Sequence, residues 1–352
     1  MEERKTVQHG SGDVEAEDPR VTPAGLSELL AAGLLSREAH ESSLAFIHRS
    51  EPPLAWHAWI QRILLFLGAA LILSGVITFF AFNWSRMPVW VKFSLIEAGM
   101  LIILFVAWTQ GLDTLTGRVL LLSAGVLVGV FLLVFGQVYQ TGADAYELFQ
   151  GWIVLIAGWV FISRFPAFWM IWIALIQTCL ILYFAQIVFP QVVRHEPVAF
   201  LCLLLGLVNA AALVFQEAGR MKRIPWMQAP WPRWIYLAAL LTCFSIPTCM
   251  LITEPDLMTE GSIPAAILLV LAVAGSLVYY KVCAPDLFAM TLCMLAICIN
   301  LLTLIGKLVF EISDEAGMFL FFGFVVLGVF SAASFMLIRI ARTMATGGEG
   351  HV

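Results

Sequence analysis

The chain has 352 residues, 61% of them apolar and only 12% charged, with a formal net charge of −5. Soluble domains are about 45–50% apolar and about 25% charged, so a soluble enzyme, a nucleic-acid binder, a disulfide scaffold and a disordered chain are all poor readings. A mean hydropathy of +0.93 leaves an all-α, polytopic transmembrane helix bundle whose surroundings are the lipid bilayer.

Residues 1–62 hold ten acids against six bases, without the clustered Lys and Arg that nucleic acid requires. Met1 to Arg20 reads as a disordered acidic tail. Residues 21–62 are expected to form a short cytoplasmic helical pair. Thr22 followed by Pro23 suits an N-cap with proline at the first helical position. Leu26, Leu29 and Leu30 share a face, and Gly33 suits the position just past the helix end. Ser36 caps a second helix reaching Phe46 and Ile47, which Glu51, Pro52 and Pro53 end. The pair is too small to hold a core of its own, so it is expected to pack on the membrane domain or on a partner.

The first apolar run begins only near Ile63, behind this polar leader, and no cleavable signal peptide is visible. Ten apolar runs follow, near 63–82, 91–108, 119–138, 149–163, 167–188, 198–215, 234–252, 263–280, 287–305 and 317–338. A length of about 20 residues crosses ~30 Å of hydrocarbon. Arg164, Phe165 and Pro166 make a tight turn between the fourth and fifth runs; merging those two gives nine spans, and ten is the prediction. Residues 63–340 thus form the bundle, and 341–352 read as a flexible tail.

With ten spans both ends lie on one side. That side carries Arg49, Arg62, Arg118, Arg164, Arg220, Lys222, Arg223, Arg233, Lys281, Arg339 and Arg342, eleven bases against four on the other (Arg86, Lys92, Arg194, Lys307). The positive-inside rule places both termini in the cytoplasm, and a bacterial inner membrane would make the opposite face periplasmic.

Two loops on that outward face stand out. One runs through Asn83, Trp84, Ser85 and Arg86, and the other through Gln137, Val138, Tyr139, Gln140, Asp144, Tyr146 and Glu147. Together they supply amides, phenols, an indole, two carboxylates and a guanidinium, enough to bind a polar ligand or a protein segment. The plainer reading makes Trp84, Tyr139 and Tyr146 interface-belt aromatics, with Asn83, Gly142 and Asp144 as turn formers. Glu97 lies six positions past Val91, roughly 9 Å below the interface, and a carboxylate there marks a function or a structural ion pair with Lys92 or Arg86.

Gln137, Gln177, Asn209 and Asn300 read as interhelical hydrogen-bonding amides. Gly125 and Gly129 form a small-xxx-small pair that permits close helix approach, and Lys307 with Glu311 reads as a snorkelling pair. The seven cysteines lie in or beside apolar runs with no C-x-x-C, and no His falls within a run, so neither a metal site nor a cofactor is expected. No nucleotide loop, catalytic triad or H-E-x-x-H appears, and no catalytic residue is assigned.

The helical pair from Thr22 to Ile47, the run closing in Ala81-Phe82-Asn83-Trp84, Lys92 after it, and Gly136-Gln137-Val138-Tyr139-Gln140 together resemble the domain of unknown function 2157 family of predicted bacterial integral membrane proteins. The resemblance covers roughly residues 22–165. It implies an inner-membrane protein with no assigned activity and no catalytic residues to carry over. The leading expectation is a non-enzymatic protein whose outward rim of Asn83, Trp84, Arg86, Gln137, Tyr139, Asp144 and Glu147 recognises another envelope component, a protein partner included. The rivals are a small-solute carrier using Glu97 as an intramembrane acid, and a membrane-embedded transferase using Asp144 or Glu147 as base.

Overall fold

The computed structural model describes residues 26, 29–30, 32–37, 39–40, 43, 56–83, 87–140, 142, 144–191, 196–255, 261–312 and 316–347. They divide into two compact units, Met1–Gly68 and Ala69–Val352.

In the first unit the turn at Gly33 takes the predicted left-handed form (φ +71°). Gly33 N–H donates to Leu30 C=O at 3.1 Å and Leu34 N–H to Leu29 C=O at 3.0 Å, the paired bonds of a Schellman C-cap. Ala39 N–H donates to the Ser36 hydroxyl at 3.2 Å, so Ser36 caps the next turn as expected. The acidic tail 1–20, Thr22, Pro23, Phe46, Ile47, Pro52 and Pro53 lie outside the described residues.

Ten described helices are long and apolar enough to cross a membrane. They are α1 (Trp56–Asn83), α2 (Val89–Gln110), α3 (Leu115–Tyr139), α4 (Ala145–Ser163), α5 (Pro166–Tyr183), α6 (Glu196–Met221), α7 (Trp231–Thr253), α8 (Ser262–Val282), α9 (Leu287–Ile312) and α10 (Ala316–Gly347). Helices suit these runs because inside hydrocarbon only a helix satisfies every backbone N–H and C=O within one segment.

The break between α4 and α5 falls where the sequence places it. Arg164 adopts φ +46° and Pro166 occupies the first turn of α5, where its missing N–H costs nothing. Several boundaries differ from the apolar runs. Helix α1 begins at Trp56, inside the segment read as part of the helical pair. Helix α4 begins at Ala145 rather than 149, because Asp144 takes the extended N-cap backbone and Glu147 falls in the first turn. The fifth crossing continues past α5 through a π turn, Phe184–Val188, and a 3-10 turn, Phe189–Gln191. Helix α10 runs to Gly347, into the segment read as a flexible tail.

Within the second unit, α3 is the most buried of the ten helices and packs between α2 and α4, with α5 against α4. Leu73 and Val76 of α1 pack on its Leu127–Val130–Val134 face together with Ile96 of α2. Helix α7 contacts α6, α8 and α9. Its Leu237, Leu240, Leu241 and Phe244 form the centre of a larger core with Leu269, Tyr280, Met290 and Cys293.

The mid-span amides behave as their chemistry requires. Gln177 of α5 and Asn209 of α6 exchange two side-chain hydrogen bonds of 3.3 Å. Asn300 of α9 donates to Ser245 of α7 at 2.9 Å and to Ala296 C=O at 2.8 Å. Lys307 and Glu311 pair at 3.6 Å. A double-mutant cycle of Gln177→Leu and Asn209→Leu, read from unfolding in mixed micelles, is expected to give a coupling of about 0.6 kcal/mol and no more than about 1.7. A coupling of zero would show that the amide exchange does not hold α5 to α6.

The Gly125–Gly129 pair does not serve close approach of two helix backbones. A Cβ on Gly125 would meet the Phe168 ring at 2.7 Å, and one on Gly129 would overlap the Trp152 indole. Trp152 donates its Nε1–H to Gly125 C=O at 2.7 Å. The two glycines are slots for aromatic rings from α4 and α5.

Candidate functional site

The helix ends that flank the two loops singled out from the sequence come together between α2 and α3. Helix α1 ends at Asn83 and α2 starts at Val89, so the first loop leads directly into the first turns of α2. There Phe93 stacks on Tyr139 at the end of α3, with ring centroids 6.0 Å apart and planes 27° from parallel. Tyr139 also tilts against Phe135 at 4.7 Å. Met87 and Val138 pack against the same apolar cluster. The chain then turns through Gln140 (φ +44°) and Gly142 (φ +63°) into α4, and Tyr139, Asp144 and Glu147 are all exposed.

This Tyr139 end is anchored by a residue the sequence did not single out. Gln186, in the π turn after α5, accepts a hydrogen bond from Tyr146 N–H at 3.2 Å. Tyr146 and Tyr183 meet edge to face at 5.3 Å, and Cys179 donates to Tyr146 C=O at 3.4 Å. Apart from the Pro190 that follows, no sequence signal marked this turn; π turns occur often at functional sites.

Between α3 and α4 the same end opens a groove of about 800 Å3 lined by Ile77, Gly129, Leu133, Gln137, Phe149 and Trp152 among others. Gln137 is exposed and lines this groove, in place of the interhelical bond expected for it. The groove is apolar along Leu133, Phe149 and Trp152 and carries an amide donor and acceptor where α3 ends. Asp144 and Glu147 add two carboxylates, and Glu147 accepts a long bond from Tyr146 hydroxyl at 3.5 Å. Asp144 caps no helix N–H with its side chain, so its oxygens remain available to a ligand.

The other predicted site residues divide differently. Asn83 is the last residue of α1, while Trp84 and Arg86 lie outside the described residues. Glu97 is exposed on α2, makes no ion pair with a described residue, and lines none of the five principal cavities. Lys92, proposed as its partner, is buried at 6% exposure.

The opposite, Arg233 end holds a charge cluster that sequence reasoning missed. Arg233, in the first turn of α7, pairs through Nη2 with Asp286 and approaches Glu217 of α6 at 3.9 Å through Nη1. Asp286 also accepts from the Trp234 indole at 2.9 Å and from Ala289 N–H at 3.0 Å, capping α9. Glu217 accepts from Tyr279 and Tyr280 hydroxyls of α8 at 3.0 and 3.2 Å and lies 3.7 Å from Arg220. The cluster ties the ends of four helices. Its signal was present: each charge sits at the edge of an apolar run, and α6 to α9 alternate in direction, so Glu217, Arg233, Tyr280 and Asp286 share one end.

Among the described residues, no three His, Cys, Asp or Glu side chains converge as metal ligands. Residues 27–169 match the family model of domain of unknown function 2157 (DUF2157), described as a predicted membrane protein. The matched segment contains every predicted rim residue and ends before the Arg233 cluster. No curated protein and no solved structure matches the chain.

Proposed function

We infer that this multi-span membrane protein is a non-enzymatic component of a bacterial inner membrane, with both termini cytoplasmic, and that its Tyr139 end recognises another envelope component. The observation that supports this reading most is the Phe93–Tyr139 stack, which ties the start of α2 to the end of α3, the helix whose Gln137 lines the groove. The excess of eleven bases over four on the opposite face supports a periplasmic position for that rim. Asp144 and Glu147 give the rim a negative field at the start of α4, which favours a basic segment on the partner. The carrier reading gains nothing from Glu97, which lines no principal cavity, and the transferase reading lacks a donor-binding motif beside Asp144 and Glu147.

The test is site-specific photocrosslinking in intact cells. A benzophenone side chain in place of Tyr139 is expected to trap one extracytoplasmic partner in stoichiometric yield, and Asp144→Lys with Glu147→Lys to reduce that yield roughly tenfold (~1.4 kcal/mol). A probe at Arg342, on the other side, is expected to trap none of it. Equal trapping from both positions, or trapping indifferent to the charge reversal, would defeat the recognition rim.

A further inference from the structure

A second cavity, distinct from the groove, is a cleft of about 250 Å3 between α5 and α6, with Pro232 and Tyr236 of α7 completing its wall. It is drawn out along the helices. Its lining runs from Pro166 to Ile176 on α5 and from Val208 to Gln216 on α6, roughly 15 and 12 Å at 1.5 Å per residue. That span matches one leaflet of the bilayer, half of a hydrocarbon core about 30 Å thick. Helix α6 packs closely on α7 but meets α5 only loosely. Ala211 and Phe215 of the lining are exposed, so the cleft opens sideways toward lipid.

The end of the cleft nearest the membrane surface is basic. Pro166 opens α5, Trp226 sits in the turn after α6, and Pro232 lies in the first turn of α7, so these three lining residues mark the Arg233 end. Arg164 stands two residues before Pro166, and Lys222 and Arg223 stand four and three before Trp226. All three cations are exposed, and none has an ion pair among the described residues. Other bases at this end are engaged. Arg118 donates to Leu112 C=O at 2.9 Å, Arg220 donates to Gln228 C=O at 3.0 Å and lies 3.7 Å from Glu217, and Arg233 is buried in its cluster. Neither turn, 164–166 or 222–230, contains an acid. Trp169 and Trp226, near-parallel at 6.0 Å, tie the start of α5 to the second turn and keep the two basic turns adjacent.

Three unneutralised cations at the surface end of an apolar, leaflet-long cleft match an amphiphile with an anionic head. An acidic peptide or a nucleic acid would meet the charges and leave the cleft unfilled. A neutral lipid tail would fill the cleft and leave the charges unmet. Basic pockets between membrane helices bind anionic lipid headgroups, the arginine fork suits phosphate, and indoles such as Trp226 lie at headgroup level. We propose that this cleft is a binding site for an anionic glycerophospholipid, with one acyl chain along α5 and α6 and the phosphate between Arg164 and the Lys222–Arg223 turn.

The experiment reconstitutes the full chain in phosphatidylcholine vesicles with rising mole fractions of phosphatidylglycerol brominated on its acyl chains, which quenches nearby tryptophans. A saturable loss of emission is expected at low mole fraction, whereas brominated phosphatidylcholine gives only the gradual loss of random contact. Arg164→Gln with Lys222→Gln and Arg223→Gln changes only exposed side chains. It is expected to raise the half-quenching mole fraction roughly tenfold or more, at about fivefold per charge. Ala211→Leu narrows the cleft from its lining but keeps the charges, and is expected to reduce the saturable amplitude. Inorganic phosphate is expected to leave the quenching unchanged. Equal quenching by the two brominated lipids, an unmoved half-point in the triple variant, full amplitude in Ala211→Leu, or reversal by free phosphate would each overturn the site. None of these readouts depends on the rim at the Tyr139 end.

Discussion

Arg233→Met is expected to lower the stability of the bundle by about 3–5 kcal/mol, because it leaves the buried Asp286 carboxylate without its counter-charge and Glu217 with Arg220 but not Arg233. The Arg233 side chain is 7% exposed, Asp286 6% and Glu217 10%, so water does little to screen the loss. The remaining contacts do not replace the guanidinium. The Trp234 indole and the Ala289 N–H satisfy Asp286 as an acceptor but bring no formal charge. The two tyrosine hydroxyls on Glu217 likewise bring no formal charge, and Arg220, still 3.7 Å from Glu217, is more exposed at 21%. Removing the charges together, as Arg233→Met with Asp286→Asn and Glu217→Gln, is expected to restore most of the stability, since a buried ion network contributes little beyond an uncharged replacement. Thermal denaturation in detergent, followed by retention of the folded fraction, measures both. A single variant that melts with the wild type would show that the cluster is solvated and idle.

Gly129→Ala is expected to destabilise the chain by about 1–3 kcal/mol, the usual cost of overpacking. Two effects oppose each other here. Alanine is the better helix former by up to about 1 kcal/mol, which would favour the variant at an open position. At Gly129 the added Cβ overlaps the Trp152 ring, and that ring cannot swing aside without giving up its bond to Gly125 C=O. The overlap therefore wins. Trp152→Leu in the same chain is expected to make the alanine tolerable, with a coupling of about 0.5–3 kcal/mol between the two sites. Both residues line the groove, so the single variant is also expected to reduce photocrosslinking from Tyr139. Additive costs in the double variant would mean that the indole does not occupy the glycine slot.

Much of the architecture follows from local chemistry. Runs of about 20 apolar residues must become helices in a bilayer. The Arg164-Phe165-Pro166 break separates α4 from α5 because proline cannot continue a helix and suits the start of one. Gly33 and Ser36 mark their turns for equally local reasons. Polar residues inside apolar runs must find one another, and Gln177, Asn209 and Asn300 do. At the site, the sequence singled out Gln137, Tyr139, Asp144 and Glu147, which flank the turn from α3 to α4.

The rest depends on which helix faces which, and composition does not encode that here. An amphipathic helix declares its inner face through its polar stripe, but these spans are apolar all round and carry no such phase. Only packing put the Phe168 ring against Gly125 and the Trp152 ring against Gly129. Packing likewise turned three helix-end charges, each readable only as topology, into one buried cluster around Arg233, and brought Phe93 over Tyr139. Helix number and direction were local properties of the chain; the sites are contacts between helices, and they exist only once side-chain shape has chosen the neighbours.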